Sequence, residues 1–331
     1  MKSNCIEVRD LTVEFKKPRG VLKAVNHVNF DLHEGCVTAL VGESGSGKST
    51  LAFTMLNMVN SSGKVTSGKV LYDGANILEY KDDKLQKYRW KDVSMIFQSA
   101  QSSLNPLMTV RQHFWETYLV HNPNAKENEV IGHFRQLLED VRLDPDRVLK
   151  LYPHELSGGM KQRVMIAFSM LLKPRVIILD EPTTALDVIT QDYIFSILDK
   201  IHNETDISML LLTHDIGVVA KVADRIAVMY AGRIVEVGDI FTVFANTAHP
   251  YANALITAAP SLLDTMDDKE PIKGAPPDLI DLPSGCAFHP RCAYATEKCR
   301  LEVPSLVEVS EDHYAACHYH GCCRKEKKVH E

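Results

Sequence analysis

Residues 36–50 read CVTALVGESGSGKST. Val37 to Val41 is a short, continuously apolar run of the kind a buried parallel strand shows, and a helix-former pattern follows from Thr50 to Met58. Between them Gly42, Glu43, Ser44, Gly45, Ser46, Gly47, Lys48 and Ser49 complete a GxxxxGK[ST] match. Glycine at these places lets the backbone curve until its N–H groups face one anion, and the helix behind adds the positive end of its dipole. Lys48 is expected to reach the β- and γ-phosphates of a nucleotide, with Ser49 on Mg²⁺ and Thr50 beside it. Strand, glycine loop and helix in that order predict an α/β fold.

A second stretch supplies what that loop lacks. Val176 to Glu181 reads VIILDE, an apolar strand ending in two carboxylates. Asp180 is placed to meet the loop's magnesium and Glu181 to orient or deprotonate water. Further strands read SMLLLT at 208–213, RIAVMY at 225–230 and RIVEV at 233–237, with helical segments between, so the repeating order is that of a parallel sheet flanked by helices. The first forty residues alternate in short stretches, LTVEF and then VNHVNFDL, and read as an antiparallel sheet. Between about 100 and 170 the chain turns helical, with Val130, Phe134, Leu137, Leu138 and Val141 recurring at spacings of three and four.

Composition narrows the function classes. With Lys+Arg 37 against Asp+Glu 43 the 331 residues carry a formal charge of -6, which excludes a strongly basic nucleic-acid wrapper. At 45% hydrophobic and 24% charged the chain is neither disordered nor fibrous. No apolar stretch approaches the roughly 18 residues needed to span a bilayer. The amino-terminal MKSNCIEVRD offers no apolar signal segment, so a reducing cytoplasm is the default. Cys5 and Cys36 stand alone, whereas Cys286, Cys292, Cys299, Cys317, Cys322 and Cys323 cluster near the carboxy terminus. In that compartment clustering favours metal binding over disulfides. A proline-interrupted, acidic passage at about 262–284 reads as a linker before them.

Leu156 to Arg163, LSGGMKQR, lies upstream of VIILDEPTTALD. With the phosphate loop, this resembles the nucleotide-binding subunit of an ATP-binding-cassette (ABC) transporter. The resemblance implies a P-loop NTPase core over residues 1–245, with an antiparallel β subdomain and a helical subdomain at about 100–170, followed by a cysteine-rich extension at 246–331. It implies that two such subunits stack head to tail, so that Ser157, Gly158, Gly159 and Asp187 serve the nucleotide held by the partner. It also implies that Gln98 links metal-bound nucleotide to the membrane subunits, that His214 contacts the γ-phosphate, and that Phe15 stacks on adenine.

AHPYANALITAAP at 248–260, centred on His249, Pro250 and Tyr251, resembles the region found in oligopeptide and dipeptide importers, whose relatives also serve nickel, glutathione and oligosaccharides. The chain is then expected to be a peripheral ATPase on the cytoplasmic face of the membrane. Its expected partners are a second ATP-binding subunit, as a heterodimer, two transmembrane permease subunits and an extracytoplasmic substrate-binding protein, with no nucleic acid. A soluble non-transport ABC ATPase and a regulatory ATP-binding module without turnover are the competing classes. The resemblance further implies a [4Fe-4S] cluster on Cys286, Cys292, Cys299 and Cys317, spaced C-x5-C-x6-C-x17-C. Zinc and metal-free thiols are the alternatives. The cysteine region is expected to be separate from the Lys48 site.

Overall fold

The computed structural model describes residues 3–98, 103–184, 186–258 and 272–323. The strands are β1 (Asn4–Lys17), β2 (Gly20–His33), β3 (Val37–Val41), β4 (Gly63–Tyr72), β5 (Ala75–Asn76), β6 (Val93–Ile96), β7 (Val176–Asp180), β8 (Ser208–Thr213), β9 (Arg225–Tyr230), β10 (Arg233–Asp239), β11 (Val307–Ser310) and β12 (His313–Ala315). The helices that matter for the site are α1 (Lys48–Met55), α2 (Glu127–Asp140), α3 (Gly158–Ser169), α4 (Val188–Thr205), α5 (Ile216–Val222) and α6 (Pro250–Ala258). The chain divides into two compact units, one built mainly of Glu79–Leu211 and the other of Ile6–Leu32, Val37–Leu78 and the chain from Leu212 onward.

The second unit carries the phosphate loop. Its four-stranded antiparallel sheet has the order β2-β1-β4-β5, as the alternation of the first forty residues predicts. Its other strands follow the order β11-β12-β10-β9-β3, with β3 and β9 parallel in the register Thr38↔Arg225 to Val41↔Val228. All five residues of β3 are buried, which is why the strand shows no polar alternation. The apolar cluster on this sheet gathers Val41, Val228, Tyr230, Val235, Val243, Tyr251 and Phe288, the last two from the carboxy-terminal region. Ile272, Leu279 and Leu282, in the described part of the passage read as a linker, also pack on this cluster. The remainder of that passage, 262–271, and the polar tail at 324–331 lie outside the described residues.

The other unit holds β6 and β7 in parallel register, Val93↔Val176 to Ile96↔Leu179, with β8 beside β7. The periodic face read between 130 and 141 forms α2, which buries Phe134, Leu137 and Leu138. Phe134 lies 5.6 Å, centroid to centroid, from Phe114. Among the described residues no helix is long and apolar enough to cross a membrane.

Candidate functional site

In the phosphate-loop unit, β3 ends at Val41 and the chain turns at once. A Cβ on Gly42 would fall 2.2 Å from the Met229 carbonyl oxygen, so β9 presses on the loop from below. Gly47, at φ 108, caps α1 without a side chain, and a Cβ there would meet the Ala24 carbonyl oxygen at 2.1 Å. The loop therefore tolerates only glycine at both places, by close contact and, at φ 156 and 108, by conformation.

Lys48 is buried and folds back over the turn, donating from Nζ to the carbonyls of Gly42 at 2.7 Å and Glu43 at 3.0 Å. Ser46 is also buried, and its hydroxyl has no hydrogen-bond partner among the described residues. A buried, unanswered hydroxyl beside an ammonium and the first N–H groups of a helix suits an anion with oxygens to spare. Ser44 and Gly45 form the exposed tip, and Ser49 and Thr50 open the first turn of α1. The residues present thus fit a nucleotide polyphosphate with its cation.

Glu43 is held at four atoms. Its N–H donates to Tyr251 Oη at 2.9 Å, and its carbonyl accepts from Lys48. Its carboxylate takes both arms of the Arg291 guanidinium, Nη1 to Oε2 at 2.7 Å and Nη2 to Oε1 at 2.9 Å. Tyr251 belongs to α6, whose start is organised by its own motif: His249 Nδ1 accepts the Tyr251 N–H at 3.0 Å, and Pro250 takes the first helical position. Glu236, fully buried on β10, accepts the N–H groups of Ala248 at 2.8 Å and His249 at 2.7 Å, and meets His313 Nε2 at 2.8 Å.

Two other expected residues lie in this unit. Phe15, half-exposed on β1, stands opposite Gly63 of β4, and its ring occupies the space a Cβ on that glycine would need. His214 is exposed between β8 and α5, just before Asp215, which caps α5 by accepting from Gly217 at 2.9 Å and Val218 at 3.2 Å.

The other unit brings Gln98 and Glu181 together: Gln98 Nε2 donates to Glu181 Oε2 at 2.8 Å. Thr184 Oγ1 donates to the same oxygen at 3.0 Å, a contact no sequence motif announced. Asp180, one residue earlier at the end of β7, is 2% exposed, and Glu181 follows with φ 47. The chain reverses its side-chain direction there and delivers two carboxylates in succession, one buried and one reaching outward.

Ser157 caps α3 by accepting the Met160 N–H at 3.3 Å, leaving the N–H groups of Gly158 and Gly159 at the open end of the helix. A Cβ on Gly159 would lie 3.1 Å from the Thr190 methyl, so this turn packs on the start of α4. Asp187 caps that helix, accepting the Thr190 N–H at 2.9 Å and hydroxyl at 2.7 Å, and these bonds hold its carboxyl below the usual range. Val188 and Ile189, next to it, are 72% and 83% exposed.

The cysteine region departs from expectation. Among the described residues no group of three or more His, Cys, Asp or Glu side chains could hold a metal ion, which overturns the [4Fe-4S] cluster expected on Cys286, Cys292, Cys299 and Cys317. Burial raises the thiols of Cys286 and Cys292 and pushes Cys317 up to about 12. The gap they line with Cys299 and Cys322 has a volume of about 20 Å³, enough for one water. His313, the first residue of β12 in the same region, is a fully buried partner of Glu236. Nor is the region separate from the phosphate loop, as the bonds of Tyr251 and Arg291 to Glu43 show.

The family model described as ABC transporter matches residues 25–184, and that described as oligopeptide/dipeptide transporter, C-terminal region, matches 235–299. The chain is 44% identical over 313 residues to the dipeptide transport ATP-binding protein DppD of Caldanaerobacter subterraneus subsp. tengcongensis, covering 95% of this chain and 96% of that protein. It is 41% identical to the oligopeptide transport ATP-binding protein OppD of Escherichia coli, covering 94% and 92%. A solved dimeric bacterial ABC transporter cassette superposes with a TM-score of 0.64 at 29% identity, covering 71% of this chain and 98% of that one. The chain belongs to the ATP-binding subunits of ABC transporters, in the oligopeptide/dipeptide family. It is an ATP-binding and ATP-hydrolysing protein.

Proposed function

We propose that this subunit couples ATP hydrolysis to the import of dipeptides or oligopeptides through membrane-embedded partners. The observation that carries the substrate class is similarity to dipeptide and oligopeptide transport ATP-binding proteins over nearly the whole chain, the extension included. The division of labour follows the sequence: residues 1–245 form the cassette, with its helical subdomain at about 100–170, and 246–331 form the extension.

Lys48, Ser46 and the N–H groups of Gly45, Gly47 and Ser49 would hold the phosphates. Magnesium, which would screen the phosphate charge, is assigned to Ser49 in the phosphate-loop unit and to Gln98 and Asp180 in the other unit. Glu181 takes the proton of the attacking water, and its bonds from Gln98 and Thr184 fix the carboxylate for that step. His214 contacts the γ-phosphate and Phe15 the adenine. Ser157, Gly158, Gly159 and Asp187 face the nucleotide of a second ATP-binding subunit, and the exposed Val188 and Ile189 beside Asp187 fit such a junction. Two permease subunits and an external substrate-binding protein complete the system, with this chain at the cytoplasmic face.

The test is reconstitution. Mild extraction should recover the chain with membrane subunits, and in proteoliposomes its ATPase rate should rise when the binding protein is loaded with a dipeptide or oligopeptide. Stimulation by nickel or an oligosaccharide alone, or recovery of a purely soluble assembly, would overturn the reading.

A further inference from the structure

Glu43 fills a position of the GxxxxGK[ST] pattern that the pattern leaves open, yet its backbone N–H and its carboxylate are both bound by side chains far away in sequence. Three of its polar groups are engaged, and the partners of two of them, Tyr251 on the N–H and Arg291 on the carboxylate, come from the carboxy-terminal region rather than from the cassette. The distances in sequence, 208 residues to Tyr251 and 248 to Arg291, exclude a local turn effect.

Arg291 is built to hold still. Its side chain is 5% exposed, Nε donates to the Lys273 carbonyl at 2.9 Å, and Nη1 also reaches Tyr230 Oη at 3.3 Å. The guanidinium lies 5.8 Å from the ring centroids of both Tyr230 and Phe288. Both terminal nitrogens of a fork fixed in this way set the carboxylate in position and orientation, which a lysine ammonium could not do. Tyr251 is fixed as well, packed between Tyr230 at 4.4 Å and Phe288 at 5.3 Å between ring centroids.

We propose that Arg291 and Tyr251 are positioning residues for nucleotide binding, holding the phosphate loop through Glu43 in the shape that receives the triphosphate. The inference rests on the assignment of Lys48 and its loop to ATP. Lys48 gives two of its three donors to the Gly42 and Glu43 carbonyls, so a phosphate competes with those carbonyls for the ammonium. As the ammonium turns to the phosphate this internal tie weakens, and the bonds from Arg291 and Tyr251 keep Glu43, and the N–H groups that follow it, in place. Without them the receptive loop becomes one of several conformers, and apparent affinity falls by the fraction of time it is formed. The extension thereby acts on ATP capture without touching ATP.

The experiment is calorimetric titration of the full chain with Mg-bound adenylyl imidodiphosphate, alongside ATPase kinetics in the reconstituted transporter. Arg291→Met keeps the packing and removes the fork, Glu43→Gln removes the charge from the other end, and Tyr251→Phe removes one hydroxyl. Each is expected to weaken analogue binding by roughly five- to tenfold. The double variant Glu43→Gln/Arg291→Met should be no weaker than the worse single variant, because both remove one contact. In the transporter KM for ATP should rise while kcat at saturation stays within about twofold, and Arg291→Lys should restore part of the affinity. A thermal melt of each variant separates loop misplacement from unfolding. Wild-type affinity in folded Arg291→Met and Glu43→Gln, or additive losses in the double variant, would overturn the proposal while Lys48→Ala still abolishes binding. Failure of the wild-type chain to bind the analogue would instead remove the assignment of the loop, and the proposal with it.

Discussion

Gln98 Nε2 donates to Glu181 Oε2 at 2.8 Å, joining residues 83 apart in sequence within one unit. A carboxylate that accepts from an amide and from Thr184 keeps one orientation, as a base for water must. Glu181 also sits at φ 47, a conformation that costs about 1–3 kcal/mol in a residue with a side chain.

Replacing Glu181 by Gln should leave Mg-ATP binding intact and lower hydrolysis about 10²- to 10⁴-fold, the usual worth of a positioned base. Single-turnover phosphate release measures it. Loss of binding in step with activity would assign Glu181 to nucleotide capture instead.

Gly47→Ala tests the loop's backbone. With φ at 108 and the Ala24 carbonyl 2.1 Å from the new Cβ, the loop must move, so nucleotide affinity should drop at least tenfold, an energy of about 1.4 kcal/mol. Equilibrium binding with the melting temperature recorded in parallel reads the effect. A variant that binds ATP normally would mean the loop has a second receptive shape.

His249 is buried and desolvation pushes its pKa down to about 3, against 6.5 when exposed. The unfolded chain therefore binds a proton that the folded chain refuses between those values. Stability is fully present above 6.5 and is lost as pH falls, at about 1.4 kcal/mol per unit for this group alone. His249→Asn retains an acceptor for the Tyr251 N–H but cannot titrate. Urea unfolding from pH 7 to pH 4 should show a shallower decline for the variant, and parallel curves would remove His249 from the account.

Glu236→Ala leaves the N–H groups of Ala248 and His249 and the His313 ring without their acceptor in a fully buried place. The expected loss is about 3–5 kcal/mol of stability by chemical denaturation. A cost below about 1 kcal/mol would show that water reaches the site.

Where the chemistry sits on consecutive residues, it could be read directly. GESGSGKS and VIILDE carry their own strand, turn and side-chain types, and their geometry follows from a few neighbouring dihedral angles. Helix α2 was legible for the same reason, since Phe134, Leu137 and Leu138 mark one face by spacing alone. Arg291 and Tyr251 were not, because nothing near either residue names Glu43 as its partner. His249, Pro250 and Tyr251 stood out as a motif, but their task depends on Glu236 from a different strand. The cysteines misled in the opposite sense: the family resemblance implied a [4Fe-4S] cluster on four of them, whereas among the described residues no group of three or more such side chains could hold a metal ion. The two short strands at 307–310 and 313–315 are too brief to show alternation, and only the bare side of β10 accounts for them.

That pairing of β10 with β12, through Glu236↔Ala315 and Val237↔Tyr314, has a meaning for the chain as it is made. β10 is complete at Asp239, but the strand that covers it ends at Ala315. At synthesis rates of about 5–20 residues per second, its open side stays uncovered for several seconds on the ribosome. During that interval the side of β10 that β12 will cover offers its N–H and C=O groups to any other nascent chain nearby. A ribosome stalled before Ala315 would hold a cassette with this edge still open.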